Sequence, residues 1–153
     1  MKLRLVAVGR DRSGLYAPAV EEYATRLARY VRFELVEVPE AKKHAGTPQA
    51  KEEEGAAILA KLRPAERVVL LDERGEEPTS LAFAERVQRW MNAGQDVALV
   101  IGGSDGLAPA VRARAAETLA LSKMTLAHRL ARLVLLEQLY RAMTILRGEP
   151  YHK

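Results

Sequence analysis

Five short segments of the chain carry the hydrophobic pattern of β-strands. Residues 67–72 (RVVLLD) and 96–101 (DVALVI) are apolar almost throughout, which is typical of strands that are buried on both faces of a sheet. Residues 33–38 (FELVEV) alternate strictly between apolar and polar positions and stop at Pro39, as a half-buried strand does. The predicted strands are residues 2–8, 33–38, 67–72, 96–101 and 118–121.

Helical periodicity fills most of the intervals between these strands. Thr47 and Pro48 form a helix start, because threonine caps the first turn and proline suits its first position. Gly94 is placed to end another helix. The alternation predicts an α/β fold in one domain over residues 1–153, with a mostly parallel sheet covered by helices on both faces. The predicted helices are residues 15–31, 47–62, 79–94, a short helix from Pro109, and 128–147.

The amino-acid composition excludes several classes of function. The chain has no cysteine, which excludes disulfides, thiolate nucleophiles and Cys-ligated metal sites. No apolar run approaches the roughly 20 residues of a membrane-spanning helix, and the apolar run at residues 5–8 is too short for a secretory signal. We therefore expect a cytoplasmic protein with no membrane partner.

Charge is distributed unevenly along the chain. Residues 112–153 contain eight Lys/Arg and three Asp/Glu, whereas residues 1–111 contain 16 and 17. The basic surplus in the C-terminal part suggests a polyanionic partner. The acidic residues 52–54 are expected to face solvent near a helix start, where they suit the helix dipole.

Three loops are candidates for ligand binding, because ligands of open α/β sheets lie beyond the carboxyl ends of the strands. These loops follow Leu71, Ile101 and Leu121. Residues 102–106 (GGSDG) lack the spacing of a phosphate-binding loop, so a tight strand-to-helix turn is an equal alternative to a binding loop. Residues 121–128 (LSKMTLAH) either bind a ligand or form a connection whose Ser and Thr cap the last helix, and the pattern alone favours the connection.

The last predicted helix is apolar on most of its faces, so most of its faces need cover. A second subunit is a natural cover in a chain of this length, and a central position in the core is the alternative.

Glu137 and Arg141 lie four residues apart and can form a surface ion pair. Tyr151 and His152 lie at the chain end, where fraying is usual. Three histidines without clustered spacing give no metal signature, so no metal is expected.

Four segments taken together resemble the bacterial large-subunit ribosomal RNA methyltransferase H family of the SPOUT superfamily. They are LRLVAVG, VVLLDERG, LVIGGSDGL and LSKMTLAHRLARLVLLEQLYRAMTILRGEPYHK. The resemblance covers the whole chain, and the combination of IGG, SKMT and RGEPYHK is specific. It implies an S-adenosylmethionine-dependent enzyme that methylates N3 of a pseudouridine in the helix 69 loop of 23S rRNA. It also implies an α/β fold with a C-terminal trefoil knot, which connection rules alone would disfavour.

The resemblance assigns roles to particular residues. It implies a homodimer in which the cofactor loops of one subunit meet the C-terminal tail of the other. Arg141, Tyr151 and His152 match the family's last-helix and tail residues and are the catalytic candidates. The family commonly has Pro where Ala127 stands, and Gln or Pro where Arg129 stands, so both positions are departures. The candidate cofactor-binding residues are Leu71, Gly103, Ser122, Lys123, Met124, Thr125, Leu126 and Ala127.

The chemistry of methyl transfer suggests how these residues act. A sulfonium methyl is already electrophilic, so the protein mostly supplies positioning. The imide nitrogen has to lose its proton, and a cation beside the flanking carbonyls stabilises the developing anion. Arg141 is the candidate cation and His152 the candidate base, because imidazole has an available neutral form near pH 7.

Arginine and lysine side chains are the candidate contacts to rRNA phosphates, which carry little sequence information. We therefore expect a shaped target, the assembled ribosome. Two alternatives remain: a non-catalytic RNA- or ribosome-binding module, and a small nucleotide-binding α/β protein that uses GGSDG as a phosphate nest. The candidates are Arg112, Arg114, Arg129, Arg132 and Lys153, with Lys42 and Lys43 as weaker ones.

Overall fold

Strands and α-helices alternate along the chain in the computed structural model, which describes residues 1–153. Every predicted strand and helix is present, and a 3-10 turn lies at Lys42–His44 within the predicted loop 39–48. The strands are β1 (Lys2–Val8), β2 (Arg32–Val38), β3 (Arg67–Glu76), β4 (Val97–Ile101) and β5 (Glu117–Leu119). The helices are α1 (Ala17–Leu27), α2 (Pro48–Lys61), α3 (Ser80–Ala93), α4 (Pro109–Arg114) and α5 (His128–Leu146).

The strands form one parallel sheet with the order β2-β1-β4-β3-β5. Leu5 in β1 is in register with Leu35 of β2 on one side and with Leu99 of β4 on the other. Because all the strands run in the same direction, their carboxyl ends meet at one edge of the sheet. The prediction of a mostly parallel α/β sheet is confirmed, and the trefoil knot stays a prediction.

Helices cover both faces of this sheet, as predicted. Side chains of β1 alternate between the faces, with Leu3 and Leu5 in one buried cluster and Val6 and Val8 in the other. The larger cluster includes residues of α1, α3 and α5, whereas the smaller one is closed by α2 and α4. The central strands are therefore apolar on both faces because each face is buried under helices.

α2 and α3 each begin after a threonine cap, whereas α1 begins later than predicted. The Thr47 and Thr79 hydroxyls accept hydrogen bonds from the third residue on, at 3.3 and 3.1 Å. α1 was predicted over residues 15–31 and is shorter. The Asp11 carboxylate accepts hydrogen bonds from the N–H groups of Tyr16 and Ala17, which delays the helix start. Leu15 consequently lies outside the helix and is 70% exposed.

β3 extends beyond its predicted end at residue 72, because its last residues return to the sheet. The strand bulges between Leu71 and Glu76, and both of these residues pair with Leu119 of β5. Gly75 permits the close approach, since a Cβ there would lie 2.7 Å from the backbone of Thr118. The predicted end of this strand at residue 72 is therefore wrong, because the charged residues 73–76 give no local sign of a pairing with a distant strand.

β5 is a very short edge strand that is held in place by its first side chain. The Glu117 carboxylate accepts hydrogen bonds from Arg67 Nε at 2.5 Å, from Arg86 Nη1 at 2.8 Å and from Trp90 Nε1 at 3.0 Å. Partial burial raises the pKa of Glu117, but the bonds from Arg67, Trp90 and Arg86 outweigh burial and hold this pKa below its ordinary value. This anchor joins β5 to β3 and α3 and shifts the strand from the predicted 118–121 to 117–119.

The Glu117→Gln substitution should lower the free energy of unfolding by about 2 kcal/mol at pH 7, because three donors lose a charged acceptor. The folded-state pKa of Glu117 lies below its ordinary value of 4.5. Its contribution is therefore complete above that value and is lost as pH falls through the folded-state pKa. Urea denaturation at fixed protein concentration measures this. The difference in free energy of unfolding between the parent and Glu117→Gln should become smaller as the pH falls through the acid range.

The matched control is Glu22→Gln, which removes an exposed ion pair with Arg26 on α1. Such pairs contribute little, so this variant should stay within about 0.5 kcal/mol of the parent protein. Equal effects of the two substitutions would contradict the anchoring role of Glu117.

Candidate active site

A cleft of about 730 Å³ opens at the edge of the sheet where β3, β4 and β5 end. Its walls come from residues 71–74, residues 101–107, and the loop that joins β5 to α5. These are the three places where the sequence predicted ligand binding. The volume lies within the range of small-molecule and cofactor pockets.

The structure brings all but one of the predicted cofactor-binding residues to this cleft. Leu71 and Gly103 line it from β3 and from the turn after β4, and five residues line it from the β5–α5 loop: Ser122, Met124, Thr125, Leu126 and Ala127. Lys123 does not line the cleft. Its side chain is exposed, and its backbone N–H donates a hydrogen bond of 2.8 Å to Glu77 Oε2.

Side chains of the β5–α5 loop hold the loop in place rather than cap the helix. The Ser122 hydroxyl accepts a hydrogen bond of 2.9 Å from the N–H of Met124, and the Thr125 hydroxyl donates to Glu73. Residue 127, at the helix N-cap, makes no side-chain cap. The capping alternative for Ser and Thr is therefore wrong, and the loop is instead tied to the β3 bulge.

The backbone of this loop is free to bind a ligand. The N–H groups of Thr125, Leu126 and Ala127 have no hydrogen-bond partner within the chain, and these residues line the cleft. Thr125 and Ala127 are exposed and Leu126 is half-buried, so these N–H groups face the open side of the cleft and can donate to a ligand there. The arrangement suits a ligand with several donors and acceptors along one edge.

The GGSDG turn is packed too tightly to accept a side chain at Gly103. A Cβ there would lie 2.9 Å from Glu54 Oε1 and 3.1 Å from Val8 Cγ1. The prediction that residues 52–54 face solvent is wrong for Glu54, because three successive helical residues span most of a turn and one of them points inward. Glu54 is buried, its Oε2 accepts a hydrogen bond of 3.0 Å from the N–H of Ala41, and burial raises its pKa.

An ion pair crosses the cleft between β3 and α4. Arg112 Nη2 lies 2.5 Å from Asp72 Oδ2, and Arg74 Nε lies 3.1 Å from Asp72 Oδ1. Partial burial raises the pKa of Asp72, but the hydrogen bonds from Arg74 and Arg112 outweigh it and hold the pKa well below its usual range. Arg112 is a predicted rRNA contact; its guanidinium is paired with Asp72 within the chain, and the rRNA contact stays a prediction.

Three further predicted rRNA contacts are occupied by partners within the chain. Arg132 is buried, with Nη1 2.7 Å from Glu37 Oε2 and Nη2 3.0 Å from the carbonyl of Gly9. Arg114 Nη2 donates to backbone carbonyls in the segment between α2 and β3, and Arg129 donates to Glu40. Sequence charge alone could not show these pairings, since each joins residues far apart in the chain.

The catalytic candidates from the tail form a second cluster, on the last turns of α5. Arg141 Nη2 lies 2.6 Å from Glu137 Oε1, and the Tyr151 hydroxyl donates to the same oxygen at 3.0 Å. The Tyr151 ring stacks edge-on against Tyr140 with centroids 4.7 Å apart, and the Arg141 guanidinium lies over the Tyr151 ring. Burial, together with Tyr23 and Glu137, raises the pKa of Tyr151. The tail therefore packs onto α5 within the chain, and its role in the site stays a prediction.

The contact between Arg141 and His152 determines which ring nitrogen of His152 is free. Arg141 Nη1 lies 3.1 Å from His152 Nδ1. A guanidinium can only donate, so Nδ1 accepts and the proton of the neutral ring sits on Nε2. In this arrangement His152 presents a hydrogen-bond donor, and it can accept a proton only after Arg141 releases Nδ1.

The cleft and the tail cluster lie at opposite ends of α5. His128, at the start of the helix, lines the cleft, whereas Arg141 is 13 residues further on. At the α-helical rise this separation is roughly 20 Å along the axis. No residue of the tail cluster lines the cleft within one chain.

His, Asp and Glu side chains nowhere gather into a group of three or more that could hold a metal ion. No helix combines the length and apolar character that crossing a membrane requires.

The sequence family described as "Predicted SPOUT methyltransferase" matches residues 1–152. The chain belongs to this family. It is similar to "Ribosomal RNA large subunit methyltransferase H" of Anaeromyxobacter dehalogenans (strain 2CP-C), with 81% identity over 153 residues and complete coverage of both chains. It is also similar to the proteins of the same name from Gloeobacter violaceus and Porphyromonas gingivalis, at 47% and 46% identity with 99% of each chain covered. The predicted family resemblance is confirmed.

Two solved structures share the fold of this SPOUT chain. A probable methylase family protein from Haemophilus influenzae Rd KW20 superposes with a TM-score of 0.57 at 16% identity, covering 99% of this chain and 70% of the other. A probable methyltransferase from Bordetella pertussis Tohama I superposes with a TM-score of 0.56 at 19% identity, covering 92% and 95%. At these identities the likeness concerns the fold alone.

The Arg112→Gln substitution should raise the pKa of Asp72, because the carboxylate loses one of the two cations that stabilise its charged form. Carboxyl carbon chemical shifts followed by NMR across the acid range would show the Asp72 titration moving to higher pH. Arg89→Gln, which changes an exposed arginine on α3 with no ion-pair partner, is the control and should leave Asp72 unchanged. An unmoved Asp72 titration in Arg112→Gln would refute the ion pair.

Proposed function

We propose that this chain is an S-adenosylmethionine-dependent methyltransferase that methylates N3 of a pseudouridine in the helix 69 loop of 23S rRNA. It acts in the cytoplasm as a homodimer, with the assembled ribosome as substrate and residues 1–153 as one catalytic domain. The observation that carries the proposal is full-length identity of 81% to a protein named ribosomal RNA large subunit methyltransferase H. The cleft at the carboxyl ends of β3, β4 and β5 supports it.

The residues of the cleft fit the cofactor. Unpaired N–H groups of residues 125–127 suit the acceptor atoms of an adenine ring, and Leu71 and Leu126 provide apolar cover. Gly103 lets the turn pack closely against Glu54 and Val8 and so holds this wall of the cleft in place, since a Cβ there would lie 2.9 and 3.1 Å from them. When bound, S-adenosylmethionine supplies an electrophilic methyl group on its sulfonium.

Residues of the tail cluster supply the chemistry at the nucleotide. Arg141 stabilises the negative charge that spreads onto the pyrimidine carbonyls when N3 loses its proton. Glu137 keeps the Arg141 guanidinium oriented, through bonds of 2.6 and 3.0 Å to its Oε1. His152, held by Arg141 at Nδ1, donates from Nε2 to a carbonyl or accepts the proton after Arg141 releases it. Tyr151 packs beneath the guanidinium and offers an aromatic face to the base.

A second copy of the chain completes the site. The tail cluster lies roughly 20 Å along α5 from the cleft, which is too far for one chain to bring both to one nucleotide. Leu133, Val134 and Ile145 on α5 are only half-buried, so the helix keeps apolar surface for a partner. A two-fold dimer would place the tail of each copy at the cleft of the other.

Methyl transfer from labelled S-adenosylmethionine to ribosomes that lack the modification tests the proposed function. We expect incorporation into 23S rRNA at N3 of one pseudouridine, and much weaker incorporation into naked transcript. Tight binding to ribosomes without transfer would instead favour a non-catalytic module, and calorimetric binding of ATP but not S-adenosylmethionine would favour a nucleotide-binding protein.

Two substitutions separate the possible roles of His152. His152→Ala should lower the transfer rate about 100-fold, in the range found for lost transition-state donors. His152→Gln should retain a rate within about tenfold of the parent, because the amide can accept from Arg141 and still donate. Equal losses in the two variants, with S-adenosylmethionine binding intact, would establish the base role and refute the donor role. If neither variant loses activity, His152 has no role in the reaction.

Mixing two inactive variants tests whether the site is shared between copies. Leu126→Arg should block the cofactor cleft and His152→Ala should remove the tail group, so neither homodimer is active. A mixture that exchanges subunits should recover roughly one quarter of the parent activity, because half of the dimers are mixed and each carries one intact site. A site within a single chain would recover none. A melting curve for each variant checks that both proteins are folded.

A further inference from the structure

A second cleft of about 690 Å³ lies on the same edge of the sheet, beyond the ends of β1 and β2. Its walls are the loop after β1, the segment from β2 through the 3-10 turn, and Arg129 at the start of α5. Gly9 shapes its floor with φ +87°, and its N–H donates a hydrogen bond of 2.7 Å to the carbonyl of Val38. Glycine is favoured here by this positive φ, and a Cβ would in addition displace the Glu40 carboxylate.

The cations of the second cleft are free, whereas most of its acids are neutralised within the chain. Lys42, Lys43, Arg10 and Arg12 line it, are exposed, and form no side-chain ion pair. Glu37 is paired with the buried Arg132, and Glu40 is paired with Arg129. Glu53 is the remaining acid in the wall. The rim therefore presents a cluster of uncompensated positive charge to solvent.

The two clefts share a wall. His128 lines the first cleft and its Nε2 lies 3.5 Å from Glu40, which lines the second. The N–H of Gly46, just after the 3-10 turn, lies 3.3 Å from Oδ2 of Asp105 in the GGSDG turn. Glu54 lies behind this wall, bonded to Ala41 and packed against Gly103. A ligand in the second cleft would thus lie directly beside whatever occupies the first.

We propose that the second cleft binds backbone phosphates of the substrate rRNA, next to the nucleotide that receives the methyl group. The inference rests on the proposed function, which supplies the RNA. Four flexible, unpaired cations around an open polar cleft suit a run of phosphates, since such contacts need charge without sequence reading. The sequence predicted Lys42 and Lys43 as weak contacts and gave no sign of Arg10 and Arg12, which β1 carries to the same place.

Paired charge removals test this assignment. Lys42→Ala/Lys43→Ala and Arg10→Ala/Arg12→Ala should each raise the KM for ribosomes roughly tenfold and leave kcat and S-adenosylmethionine affinity unchanged, because phosphate contacts contribute to binding only. The slope of log(kcat/KM) against log(salt) should become shallower by about one to two in each double variant. Each lost cation removes one phosphate contact, and each contact contributes about one to the slope. Charge reversal by Lys42→Glu/Lys43→Glu should raise KM further.

The matched control is Lys61→Ala/Arg89→Ala, which removes two exposed cations near the carboxyl ends of α2 and α3, away from this edge of the sheet. It should leave KM and the salt slope within twofold of the parent. Unchanged KM in both cleft variants, or a change equal to the control, would overturn the assignment. If the parent chain transfers no methyl group, the proposed function fails. Filter binding of the same variants to ribosomal large subunits then still tests whether the second cleft binds RNA phosphates, by the same comparison with the control variant.

Discussion

Parallel pairing of β4 between β1 and β3 is the constraint on which the rest of the structure depends. Leu99 is in register with Leu5 on one side and Val69 on the other, and all three side chains are buried. Because the three strands point the same way, the segments after them emerge side by side at one edge. The GGSDG turn after β4 therefore lies between the loop after β1, which forms the second cleft, and the bulge of β3, which forms the first.

Ion pairs, rather than further secondary structure, hold the walls of these clefts. Glu117 fixes the short strand before the β5–α5 loop, and Asp72 joins the β3 bulge to α4 through Arg112. Arg132 joins the start of α5 to the ends of β1 and β2 through Glu37 and two backbone carbonyls. Four of the eight cations in residues 112–153 are therefore paired with carboxylates inside the chain: Arg112, Arg129, Arg132 and Arg141. The four unpaired cations that line the second cleft all lie in the N-terminal third.

α5 separates the two chemical halves of the proposed enzyme. Its first turn faces the cleft, and its last turns carry Arg141 with the Tyr151 and His152 tail packed onto it. A rigid helix cannot bring its two ends to one nucleotide, so a symmetric second copy is the simple solution. The ordering of the tail by Glu137 and Tyr140 means that each copy would present a preformed group to the other rather than a frayed end.

Short-range pattern determined the element types, the parallel α/β class and the three loops of the first cleft, because apolar periodicity, caps and strand ends are local properties. Motif resemblance determined the family. Tertiary structure alone decided that β3 returns to pair with Leu119, that Glu54 is buried under Gly103, and that Arg112, Arg114, Arg129 and Arg132 have partners within the chain. Each of these contacts joins residues far apart in the chain, and a charged side chain looks the same in the sequence whether it is paired or free.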